Sequence, residues 1–432
     1  MIAQHPIKPA QLIDYRYIEA QKRSLKELQK NDALFFQKYE NKSQQSLAFS
    51  HPLRVKFVGI LPLSFELGCE HNTSLTHQLN TKLAEDDLSL NELQNSILNN
   101  SNQAKVNSSK INNMEGGVNA GNTTNVLHRH RYFAKGQHYF KITEQLSQLL
   151  SLTDIKDKAS CQFFNTPFES VYVECRDPNV KIWNQETAWH QIEGFYINRY
   201  MITEEEIRNN WDSNLADSRY MLGYLAKKGY ISRNGGDVIM FEVLATGSPK
   251  ETIFNDATYA FSFVIQDPVK SINEAIEAHT SYYQYSHSKI KMLPNGEIET
   301  PMSHDDKLTF TNTIELMAKT LLYINSSQAH KREVNEELSL EQAIKRTFNK
   351  AKIRKLERKI ASTSNYILIG CDRYQSLKHQ KNQKTIKTHW RRGFFRNQRY
   401  GEKNALMRLK WIEPTVVNSG ENIALSKEYL VK

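Results

Sequence analysis

Long apolar runs are missing from the 432-residue chain: no stretch of about 18 apolar residues occurs, so no membrane-spanning helix is expected. Cysteine is scarce as well. Cys69, Cys161, Cys175 and Cys371 lie far apart with no C-x-x-C pair, which argues against a zinc ribbon or a disulfide framework and suits a reducing compartment. The first twenty residues lack the apolar centre of a secretory signal, so a cytoplasmic location is expected. Nucleotide-binding loops of the G-x-x-x-x-G-K-[ST] or G-x-G-x-x-G kind are absent, as are H-E-x-x-H and G-x-S-x-G. His128, His130 and His138 have no Cys or carboxylate to complete a metal set and read as a polar lead-in to a helix over 139–152. No cofactor or metal is expected.

What the chain has is unevenly placed charge. The formal net charge is +10, but residues 341–411 alone hold 20 Lys and Arg against four acids. The remainder carries 37 bases and 43 acids, an ordinary acidic body joined to a basic part suited to a polyanion.

In order, the periodicities predict an α+β fold: an antiparallel sheet with packed helices, an N-terminal helical segment, a disordered Asn-rich insertion, and a basic C-terminal helix plus β-hairpin. Four regions are expected. Residues 1–70 read as a helical/strand segment, with helix over 10–50 and a strand over 53–60. Residues 71–125 read as a disordered linker, since 91–125 contain eleven asparagines and too little apolar surface to offset the entropy of ordering. Residues 126–338 read as an α+β core. Strands are expected at 171–175, 195–198, 238–244 and 258–266, with a helix capped by Asp267-Pro268 that buries Val269, Ile272 and Ile276, and another over 305–324. The aromatic file Tyr259, Phe261, Phe263 reads as core packing. Residues 339–432 read as a basic, nucleic-acid-facing module with one helix over 340–361, opened by a Ser339/Gln342 capping box, and a strand at 366–370.

The densest stretch is 388–420. Lysines outnumber arginines 37 to 20 over the chain, yet five arginines and two lysines fall within 388–411. Guanidinium grips phosphate with a planar fork and stacks on rings, which ammonium does not. Met407, Leu409 and Trp411 alternate with Arg408 and Lys410, Gly401 marks a turn, and Pro414 ends the ladder. A hairpin with one packed and one basic-aromatic face is expected. Arg391, Arg392, Arg396, Arg399, Arg408 and Lys410 would hold phosphates, and Trp390, Phe395 and Tyr400 would stack bases.

The pattern His389-x-Arg391-Arg392-Gly393-aromatic, then Tyr400-Gly401, Arg408-x-x-Trp411 and Val417-Asn418-Ser419-Gly420 resembles the C-terminal signature of the type V-A anti-CRISPR family that lowers effector-nuclease expression. Residues 165–175 and 192–197 are similar to the family's two upstream strands, whereas Phe394 stands where its members often carry histidine. The resemblance implies a phage or plasmid accessory protein that evades host defence. It would act in the bacterial cytoplasm on an mRNA or its translating complex, with RNA a better partner than DNA and the ribosome or nascent polypeptide as further partners. Two alternatives stay open: a ribonuclease with His389 as general base, and a DNA-binding mobile-element regulator.

Overall fold

The computed structural model of the chain describes residues 50–58, 120–155, 159–184, 188–212, 221–248, 256–288, 304–371 and 389–417, with the single positions Tyr17, Gln21, Glu66 and Leu83. From the N-terminus come helices α1 (Pro52–Val58) and α2 (Ala120–Ala134), strand β1 (His138–Ile142), helix α3 (Glu144–Ser151) and the short strand β2 (Thr153–Asp154). Strands β3 (Ser170–Glu174), β4 (Lys181–Asn184) and β5 (Ala188–Ile202) follow, then helices α4 (Glu204–Asn210) and α5 (Met221–Lys227). Next are β6 (Val238–Ser248), β7 (Ala257–Ile265), α6 (Ile272–Ser288) and α7 (His304–Ile324). The chain continues through β8 (Lys331–Val334), α8 (Glu336–Lys345), α9 (Lys350–Ala361) and β9 (Tyr366–Ile369). It closes with β10 (His389–Arg391), β11 (Gly393–Tyr400), β12 (Leu406–Ile412) and β13 (Thr415–Val417).

Eight strands form the main sheet in the order β7-β6-β5-β3-β1-β9-β8, with β4 paired to β5. Pairing is antiparallel from β7 to β3 and between β9 and β8, and parallel where β1 lies between β3 and β9. The α+β class therefore holds, with a parallel centre that local sequence does not encode.

Successive strand residues take opposite faces, and the two faces differ in kind. One buries Val171, Val173, Phe195, Ile197, Phe241, Val243 and Phe263 in a large core shared with Ile276 of α6 and Ile314, Met317 and Leu321 of α7. The aromatic file of β7 belongs here, as expected. The other face is a row of tyrosines, Tyr139, Tyr172 and Tyr196, packed under Tyr132 and Phe133 of α2, Val55 of α1 and Tyr17. Their hydroxyls are satisfied: Tyr196 donates to Ser50 O at 2.7 Å, Tyr172 pairs with Thr246 Oγ1 at 3.0 Å, and Tyr139 donates to the Glu174 carboxylate.

Several expectations are corrected. The strand expected over 53–60 is helix at residues 53–58, the part that is described. Pro52 opens α1, its missing amide costing nothing at a first helical position, and Arg54 reaches Glu193 at 2.5 Å and Asp256 at 2.7 Å. The 71–125 segment lies mostly outside the described residues, but Leu83 is buried and helical, and α2 begins at Ala120, so the boundary at 125 falls within a helix. The helix expected over 10–50 is described only at Tyr17 and Gln21, which are helical, and at Ser50, which is not. His128–Arg131 is not a polar lead-in but a buried part of α2, its polarity absorbed by partners. Asn198 Nδ2 donates to His128 Nδ1 at 2.8 Å, and His130 lies 2.5 Å from both Tyr17 and Glu66. Residues 139–152 split into β1 and α3, separated by Thr143, which caps α3. The helix after β7 starts at Ile272 under a Ser271/Glu274 reciprocal cap, leaving Val269 82% exposed. The 340–361 helix is two helices broken at Asn349, which caps the second, while Ser339 Oγ donates back to Asn335 O and forms no box. Within the region 339–432, β9 is an interior strand of the main sheet.

Two buried histidines make the fold acid-sensitive. His279 donates from Nδ1 to Ala275 O and accepts from Val264 N on Nε2, and burial holds it near pKa 4. Burial, helped by Arg131, holds His128 near 3. Both titrate in the unfolded chain at about 6.5, so stability is complete above that pH and falls as pH drops toward the folded values. Each contributes a slope of about 1.4 kcal/mol per pH unit. His279→Gln should lose roughly that slope between pH 6 and 5 in urea denaturation. An unchanged slope would show that His279 is not the neutral group the geometry requires.

Candidate nucleic-acid interface

The β11–β12 hairpin is fixed by its inner face. Phe395 sits opposite Trp411 and Asn397 opposite Leu409, and Phe395, Trp411 and Leu409 are at most 2% exposed within the main core. The Trp411 indole donates to Thr153 Oγ1 at 3.2 Å, and that hydroxyl donates to Leu149 O at 2.8 Å. Trp411 N donates to Gln328 Oε1 at 3.0 Å, and the Tyr323 ring meets the indole edge-on at 5.0 Å. Gly393 pairs with Thr153 so closely that a Cβ would lie 2.6 Å from Thr153 Oγ1 and 3.0 Å from Ile412 O. At the far end Gly401 takes φ 77°, turning the chain into β12.

The outer face carries Phe394, Arg396, Gln398 and Tyr400 on β11, facing Ile412, Lys410, Arg408 and Leu406 on β12. Arg396 and Lys410 are direct cross-strand partners, an arrangement that repels. Among the described residues none of Arg396, Arg399, Arg408 and Lys410 has an ion-pair partner. Two guanidinium groups lie over rings: Arg408 is 5.1 Å from the Tyr400 centroid and Arg391 is 5.3 Å from that of Phe394. Arg408 also donates to Gln398 Oε1 at 3.4 Å.

The expected site residues thus divide. Arg391, Arg396, Arg408, Lys410 and Tyr400 gather on or beside the outer face, while Arg399 points to the inner side near the turn, opposite Met407 and exposed. Arg392 is exposed but spends its charge on Asp154 at 2.9 Å. Phe395 leaves the stacking set because it is buried, as is Trp411. His389 and Trp390 lie on β10, opposite Val417 and Val416 of β13, but their side chains, like Asn418 and Gly420, are outside the described residues. Sequence reasoning missed Phe394 and Gln398. The signal was present: Phe394 is in phase with Arg396, whereas Phe395 is out of phase with it.

Among the described residues no group of three His, Cys, Asp or Glu side chains could hold a metal, and no helix is long and apolar enough to cross a membrane. Trp411→Ala should destabilise the protein by about 3–5 kcal/mol, as for a buried aromatic, and Tyr400→Ala by less than about 1 kcal/mol. Chemical denaturation of the two variants checks the assignment of faces, and equal losses would reverse it.

Comparison with known proteins bears on this hairpin directly. No curated protein matches the chain. A family model described as AcrVA2-like, anti-CRISPR type V subtype A2 family, matches residues 140–419. That span is well over half the chain, runs from within β1 past β13, and leaves α1 and α2 outside it. By that match the chain belongs to the anti-CRISPR type V subtype A2 family.

Proposed function

We propose that this anti-CRISPR family member lowers production of a host target protein by engaging its mRNA or translating complex, with the outer face of β11–β12 as the RNA contact. The observation that carries the reading is the unpartnered Arg396–Lys410 cross-strand pair, set between two guanidinium–ring stacks. Repulsion across a ladder costs stability unless a polyanion relieves it, and phosphate does so. The neighbouring rings of Phe394 and Tyr400 offer flat faces to unpaired bases, which favours single-stranded RNA over a stacked duplex. The cytoplasm of a bacterial cell is where such transcripts are met.

The test is a titration of purified protein against labelled single-stranded RNA, with duplex DNA of equal length as comparator, at several salt concentrations. Arg396→Ala with Lys410→Ala should weaken RNA binding at least tenfold. Two lost phosphate contacts should flatten the slope of log affinity against log salt by about 1.4. Folding stability should stay level or rise by a few tenths of a kcal/mol as the repulsion goes. RNA affinity equal to wild type in that variant would remove the hairpin from the site, and tighter binding of the duplex would favour a DNA-directed regulator.

A further inference from the structure

A second surface springs from the β8–β9 pair. Between β8 and β9 the chain leaves the sheet as a helical arm, α8 then α9, joined by a turn at 346–349. Its root is pinned: Lys56 of α1 donates to Glu337 at 2.9 Å and to Thr363 O at 2.8 Å, and Thr363 Oγ1 donates to Glu336 at 2.8 Å. Beyond the root, α8 buries no residue, and Phe348 in the turn is 96% exposed. On α9, Ile353, Leu356 and Ile360 are half-buried along one stripe. At 3.6 residues per turn, the bases Lys350, Arg354, Arg358, Lys355, Lys359 and Lys352 follow one another over the remaining ~200° of the helix. Glu357 is the one acid on α9, and no described ion pair involves any of the six bases.

We infer that this arm is a second RNA-binding surface, with the basic arc of α9 along the phosphodiester backbone and Phe348 stacked on an unpaired base. The inference rests on the proposed RNA contact of the β11–β12 hairpin and extends it to a two-point grip. Charge selects the occupant. An interfacial membrane helix needs an exposed apolar face, but the stripe of α9 is half-buried, and the exposed large apolar side chains described on the arm are Phe348 in the turn and Leu338 on α8, too few to make one. A protein partner would meet a surface rich in lysine, the residue depleted from interface centres. A phosphate polymer needs only the charge and a ring to stack on. The geometry separates the two points. β9 and β8 meet at Ile369–Lys331 on the hairpin's side, where Ser327 N donates to Leu409 O, whereas the arm springs from the opposite end, at Val334–Tyr366. A bound transcript would therefore run past the edge of the sheet along β8.

The experiment uses the full chain, a labelled single-stranded RNA and vesicles containing phosphatidylserine. It compares Lys352→Ala/Lys355→Ala/Lys359→Ala, Phe348→Ala and Arg396→Ala/Lys410→Ala, with far-ultraviolet circular dichroism to verify folding. The triple variant should bind RNA at least tenfold more weakly and lose about 2 from the salt slope. Phe348→Ala should weaken binding several-fold with the slope unchanged, because stacking releases no counterions. If both arm variants bind RNA like wild type while the hairpin variant does not, the arm is no contact and the proposed function stands alone. If wild type itself binds no RNA, both readings fall together. Vesicle binding that the arm variants lose, with RNA affinity unchanged, would assign the arm to lipid and overturn the inference.

Discussion

The Trp411 side chain is the constraint on which the basic face depends. A two-stranded hairpin is marginal in water by itself, because one of its faces has nothing to cover it. Here the inner face is part of the main core: the indole is held by Thr153, which is itself held by the last turn of α3, and Phe395 and Leu409 fill the space beside it. The outer arginines can then be presented on a stiff platform, and the repulsion between Arg396 and Lys410 is tolerated because the opposite face supplies the cohesion. The family signature reads the same way. Gly393 and Trp411 of the motif are packing residues, required by close approach and burial, while Arg391, Arg392, Tyr400 and Arg408 are exposed.

Legibility followed the range of the forces involved. Period-two alternation located β3, β5, β6, β7 and the β11–β12 hairpin, because half-buried strands write their own pattern. LRVKFV alternates like a strand, yet Pro52 starts a helix there and the ion pairs of Arg54 with distant Glu193 and Asp256 lie with it. His128–Arg131 looked like solvent-exposed polarity. Its burial became visible only with Asn198, Glu66 and Tyr17 in place, and none of these is a neighbour in sequence. The parallel placement of β9 beside β1 is likewise non-local, joining residues more than two hundred positions apart.

The site was half legible. Residue type announced a cation-rich, ring-rich stretch, but only the register decided which rings face outward. Phe395 and Phe394 are adjacent and chemically identical; one is a core side chain and the other lies beneath a guanidinium. The charge count also hid a structural division. The described basic residues of 341–411 are split between a helical arm and a hairpin at opposite ends of the β8–β9 pair, so one electrostatic block in sequence divides in space.

The position of β9 sets a schedule for the molecule's own synthesis. β1 is made before β9, yet one of its two neighbours is Tyr366–Ile369, and among the described strands β8 pairs only with β9. Until those four residues clear the ribosome, β1 presents an open row of amides and carbonyls, and the hairpin that closes the core beyond it is also unmade. The main sheet therefore closes only once β9 has been made, and not domain by domain along the way. A transcript truncated between β1 and β9 would yield a chain with an unpaired sheet edge, prone to self-association.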